Sequence, residues 1–164
     1  MQLESILLPL AVGAIAGVTL AKKPEIPDTQ DQLDKMKAGT SVAGPMIIGA
    51  SLAIVGAGVL SLTHPKLGAG SVGAGAALGI MGSLQRPPGD PSRVLGLTMG
   101  VLGGGIAGLM AFGKPSAQFG ASEVVIGYGG LVAASTLVFI SDVNRLPSKV
   151  TNPVLTSPSP SPAA

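Results

Sequence analysis

Residues 96–110 read GLTMGVLGGGIAGLM, with Gly96, Gly100, Gly104 and Gly108 recurring at every fourth position. In water each of these would weaken a helix by about 1 kcal/mol relative to alanine. Inside a bilayer the balance changes, because an unmade backbone hydrogen bond costs more in hydrocarbon and the helix persists. Lipid tails are as apolar as leucine, so helices there associate by close packing, which small residues at this spacing permit. The stretch predicts a membrane helix with a packing face.

The rest of the chain extends that reading. Of 164 residues, 46% are hydrophobic and 11% charged, and the mean hydropathy is +0.57. Soluble domains carry about 25% charged residues, so too little polar surface is present to cover a globule. Uncharged stretches long enough to approach the roughly 20 residues a span requires fall at about 5–21, 43–63, 67–84, 94–113 and 123–141. The expected architecture is an all-α integral membrane bundle of about five glycine-rich transmembrane helices. Small residues recur at every fourth position on nearly all of them: Gly13 and Gly17; Gly49, Ala53, Ala57 and Ser61; Ser71, Gly75, Gly79 and Ser83; and, more sparsely, Gly130 and Ala134. These are the candidate helix-packing residues, and Gly100→Leu and Gly104→Leu are both expected to force helices apart.

The first segment can alternatively be read as a signal peptide. Such a peptide begins with a basic segment, whereas MQLE supplies only Glu4 ahead of the apolar run. A membrane helix is the better reading.

With five spans, the basic residues sort by side. Lys22, Lys23, Lys35, Lys37, Arg86, Arg93, Arg145 and Lys149 fall on one face, and Lys66 and Lys114 on the other. The positive-inside rule then predicts the N-terminus outside and the C-terminus inside, on a cytoplasmic, stromal or matrix face. The same distribution accounts for the sequence pI of about 9.2 without a nucleic-acid partner, for which the aromatic interleaving is also missing.

Residues 22–42, KKPEIPDTQDQLDKMKAGTSV, form the one sizeable polar segment. They read as a solvated connector, or a docking element for a partner or headgroups. A weak surface helix from Thr29 to Lys37 is expected, with Asp28 as its cap. THPK at 63–66 reads as a turn. RPPGDPSR at 86–93 reads as a tight loop with Asp90 capping and Pro91 in the first helical position. Ser122 is the expected cap of the last helix, and Pro45 is expected within the first turn of the second span. Residues 146–164 read as a disordered Pro/Ser-rich tail.

Chemistry is sparse. Without cysteine there is no thiol catalysis, disulfide or cysteine-ligated metal. The single histidine, His64, belongs to a turn. Glu4, Arg86, Asp90, Arg93, Glu123 and Asp142 all fall near span ends, whereas ion- or proton-coupled transport normally keeps an ionisable group within a span. GAGSVGAG at 68–75 lacks the strand that a dinucleotide site requires. No catalytic residue, cofactor or metal site is expected. The anticipated partners are the lipid bilayer and either further copies of the chain or other membrane subunits.

From 43 to 141 the elements IIGASLAIVGAG, GAGSVGAG, QRPPGDPSR and GGGIAGLMAFGKPSAQF resemble the small transmembrane-14 family, which includes chloroplast fatty-acid exporters. That family has four short glycine-rich helices with an Asp-Pro loop between the second and third. The resemblance covers about 60% of the chain and implies passage of fatty acids or similar cargo, with no catalytic residue. The Arg86-to-Asp90 spacing is also similar to the mitochondrial inner-membrane translocase family, whose members include respiratory accessory subunits.

Overall fold

The computed structural model describes residues 3–150. It consists of five helices with no strand among the described residues: α1 (Glu4–Leu20), α2 (Gln30–Thr63), α3 (Pro65–Leu84), α4 (Pro91–Phe112) and α5 (Pro115–Arg145). Four of them, α2 to α5, are long and apolar enough to cross a membrane. With 17 residues, α1 stands at the short limit of about 17–25 for a span. This is an all-α bundle of the kind that makes a multi-pass membrane protein.

Proline sets three of the four helix starts after α1. Pro65, Pro91 and Pro115 each occupy the first position of their helix, where the missing N–H would have had no intrahelical acceptor anyway. Pro65 also ends α2, since the residue before a proline is pushed out of the helical region. His64 accordingly sits at φ −132°, ψ 75°. Its N–H donates to the Leu60 carbonyl at 2.8 Å, and its own carbonyl accepts from Leu67 at 3.0 Å and Gly68 at 3.1 Å. One residue closes one helix and opens the next.

Between α3 and α4 the chain reverses at Pro87–Asp90, where the Asp90 N–H donates to the Pro87 carbonyl at 3.3 Å. Pro88 supplies the fixed negative φ of a type II turn, and Gly89 supplies the positive φ that its third position demands, here 93°. Arg86 pairs with Asp90 at 3.8 Å, and Arg93 donates to the Arg86 carbonyl at 3.2 Å.

Two helices differ from the sequence expectation. The N-terminal part of the polar segment has no regular secondary structure through residue 27, but from Gln30 it joins the second span in one helix of 34 residues that passes through Pro45. At 1.5 Å per residue this is about 51 Å, against a hydrocarbon core of about 30 Å. Its cap is Thr29, not Asp28: the Thr29 hydroxyl accepts from the Gln32 N–H at 3.3 Å. Similarly, α5 begins at Pro115 rather than near 123 and runs for 31 residues. Ser122 is therefore not a cap. Its hydroxyl donates within the helix to the Gln118 carbonyl at 2.8 Å, and Glu123 lies two turns inside α5.

α5 is the hub of the bundle. It packs along α1 on one side and α2 on another, while α3 and α4 pair with each other. The α2–α3 and α4–α5 contacts that join these groups are sparser. Gly68 against Ala57 and Ser61, and a cluster of Ala69, Met110, Ala121 and Val125, make that junction, all in the half of the bundle nearer His64.

Candidate functional site

The residues that organise this molecule are those where two helix backbones come close, and each seam has its own geometry. α1 runs parallel to α5. A side chain on Gly13 would fall on the Gly127 carbonyl, and one on Gly17 would fall on the Leu131 carbonyl and reach Ala134 at 3.0 Å. From the other side, a side chain on Gly130 would stand 2.8 Å from the Leu10 carbonyl, and one on Gly127 3.2 Å from that of Pro9. Gly13 and Gly17 are buried, while Leu8, Val12, Ile15 and Val18 point outward. α1 thus offers α5 its small face and keeps its bulk outside.

α2 runs antiparallel to α5 along a seam with a different period. A side chain on Gly44 would stand 2.6 Å from Ile140, one on Gly129 2.9 Å from the Ser51 carbonyl, and one on Gly58 2.7 Å from Ile126 and 3.1 Å from the Ser122 carbonyl. The α2 residues recur every seventh position, the repeat that keeps one face against a partner along a long supercoiled pair. Ser61 closes the seam, its hydroxyl 2.6 Å from that of Ser122. Ser51, Ser61, Ser83 and Ser122 are the buried polar residues, each bonded to a carbonyl of its own helix. Among the described residues no buried side-chain polar atom lacks a partner.

The α3–α4 pair is antiparallel as well. Gly96 lies against Ser83 and Gly100 against Ile80; a side chain on Gly100 would stand 3.1 Å from the Ala76 carbonyl, one on Gly103 3.1 Å from Ala76, and one on Gly73 3.6 Å from Ala107.

The sixteen packing candidates therefore divide. Gly13, Gly17, Gly96, Gly100 and Gly130 stand at close approaches, Ala134 beside Gly17, Ser83 beside Gly96, and Ala57 and Ser61 beside Gly68. Gly49, Gly75, Gly79, Gly104 and Gly108 have nothing within 4 Å of where a side chain would stand, and Ala53 and Ser71 are exposed. Gly44, Ser51, Gly58, Gly103, Gly127 and Gly129 belong to seams but not to the every-fourth-residue set. The sevenfold recurrence of Gly44, Ser51 and Gly58 was a readable signal for them.

At the end of the bundle that carries Lys22, Arg86 and Arg145, the first half of α2 is tied to the chain beyond α5. Lys37 donates to the Leu146 and Pro147 carbonyls at 3.2 and 3.3 Å. Gln30 donates to the Ser148 carbonyl at 3.3 Å and accepts from the Val150 N–H at 3.0 Å. Leu33 is 1% exposed here and lines a small pocket with Ile26, Pro27, Leu146, Pro147, Lys149 and Val150. Residues 146–150, expected in the disordered tail, are docked, while 151–164 lie outside the described residues.

No protein-family model, curated protein or solved structure matches this chain. No group of three or more His, Asp or Glu that could hold a metal ion exists among the described residues. What the arrangement can do is hold helix backbones together, and present glycines outward.

Proposed function

We propose that this is a non-enzymatic membrane protein that acts as a structural accessory subunit, packing against other membrane polypeptides or further copies of itself. The observation that carries this reading is the set of outward glycines. Gly49 and Gly56 on α2, Gly75, Gly79 and Gly82 on α3, and Gly104 and Gly105 on α4 meet nothing within the chain. A glycine against lipid has lower helix propensity than alanine and no packing gain, whereas against a second helix it admits a close approach. In this reading the basic end faces the cytoplasm, stroma or matrix, consistent with the distribution of lysine and arginine.

A second reading draws on a different observation. The α3–α4 pair joins the other three helices mainly near His64, so the two groups can part from the opposite end and admit an acyl chain laterally. That is a facilitator of fatty acids or similar cargo, in keeping with the resemblance to the transmembrane-14 family.

The deciding measurement is the native mass of the protein extracted from its own membrane in mild detergent. Stoichiometric foreign polypeptides support the accessory subunit. Bound fatty acid or lipid with flux into vesicles, and no foreign polypeptide, supports the facilitator and overturns the first reading.

A further inference from the structure

We infer that the first half of α2 is a latched arm, hinged at Gly44–Pro45 and held against the end of α5 by the strap 146–150. The hinge follows from covalent structure. Pro45 has no N–H to give the Ser41 carbonyl, and its ring crowds that carbonyl, so the helix is weakest at this turn. Gly44 beside it adds backbone freedom, and a few residues further up Gly39 meets nothing. Below the hinge α2 is fixed by the long seam of Ser51, Gly58 and Ser61 with α5. Above it, the long-range hydrogen bonds of the arm, among the described residues, go to the strap.

The latch is local and mostly polar. One ammonium reaches two carbonyls, at 3.2 and 3.3 Å. One amide side chain pairs with both backbone groups of the strap, accepting from Val150 and donating to Ser148. Leu33 adds the single large side chain buried on the arm. Ile26 and Pro27 line the same pocket as Leu146 and Pro147, so the arm, the strap and the connector from α1 meet at one point. Opening the latch frees all three and uncovers that apolar pocket. The arm's far end stands about 20 Å from Pro45, so a bend of about 20° carries it about 7 Å.

The test uses spin-label distances in the reconstituted full-length protein, which has no cysteine of its own. Labels at Gln32→Cys on the arm and Asn144→Cys at the adjoining end of α5 report the arm's position. The otherwise unchanged protein is expected to give one narrow distance population. Gln30→Ala with Lys37→Ala should add a second population displaced by about 7 Å or more, and Pro45→Ala on top should return the single population. A single population in the unlatched protein overturns the inference, as does a second population that survives Pro45→Ala. Loss of the fold is controlled by following Ser61–Ser122 proximity through a disulfide between Ser61→Cys and Ser122→Cys in unlabelled protein. If that disulfide fails only when the latch is removed, the strap holds the whole bundle rather than an arm, and the inference is wrong.

Discussion

The hydroxyls of Ser61 on α2 and Ser122 on α5 lie 2.6 Å apart in the seam that joins the two longest helices, at the level where α3 turns back onto them. Each hydroxyl also has a carbonyl of its own helix within reach, Gly58 at 2.6 Å and Gln118 at 2.8 Å. Neither depends on the other for satisfaction.

Replacing either serine by alanine should therefore cost little, since the remaining hydroxyl keeps a backbone acceptor. A double-mutant cycle on thermal unfolding in detergent is expected to give a coupling of about 0.6 kcal/mol, the usual scale for interhelical hydrogen bonds in membranes. A coupling of several kcal/mol would mean that the pair organises the bundle by itself.

Gly100 and Gly104 are one turn apart on α4 and should behave oppositely. Gly100 lies under Ile80 and near the Ala76 carbonyl, whereas Gly104 meets nothing in the chain. Gly100→Leu should separate α3 from α4 and destabilise the isolated protein by about 1–3 kcal/mol, the range for overpacking. Gly104→Leu should leave the isolated protein as stable as before but weaken its association with partners. Thermal unfolding and native mass together check both halves. Equal destabilisation by the two would refute the proposed division between inward and outward glycines.

Gly13→Leu should displace α1, because any side chain there falls on the Gly127 carbonyl. Val12→Leu, at an outward position 59% exposed, is the matched control and should be neutral. Cysteine cross-linking between α1 and α5 should fall sharply for the first variant alone.

Gly89→Ala should cost about 1–2 kcal/mol, because its φ of 93° is a conformation that L side chains resist. The loss should appear in thermal unfolding, with the α3–α4 seam as the first region to exchange its amide hydrogens.

Cysteines introduced at Ser148 and Ser116 should react with an impermeant reagent from opposite sides of the membrane. Labelling from the same side would remove the topology on which the basic end was assigned.

Much of this was legible from local rules. Proline at 65, 91 and 115 has a fixed φ and no N–H, so it announces helix boundaries without any tertiary knowledge. Gly89 after two prolines announces its turn just as directly. The merged helix at 30–63 was not legible in the same way. The polar residues 30–42 look like a connector because nothing local reveals the support that Leu146, Pro147 and Ser148 give them from more than a hundred residues away. The packing faces were half legible. An every-fourth-residue repeat suits the short parallel crossing of α1 on α5, but a long antiparallel seam follows a sevenfold repeat. On α2 the first pattern points to Gly49 and Ala53, whereas the seam holds Gly44 and Ser51. Which small residues face inward is decided by the partner's path, and no single helix contains that information.

The seating of α1 on α5 sets an order of events in biosynthesis. α1 leaves the ribosome well before α5, the helix that receives it. Between Leu20 and Arg145 lies most of the chain, a delay of roughly 6–25 s at translation rates of about 5–20 residues per second. During that interval α1 is without the helix it packs against. Its outward Leu8, Val12, Ile15 and Val18 suit it to apolar surroundings meanwhile, and its glycine face stays vacant until α5 is made.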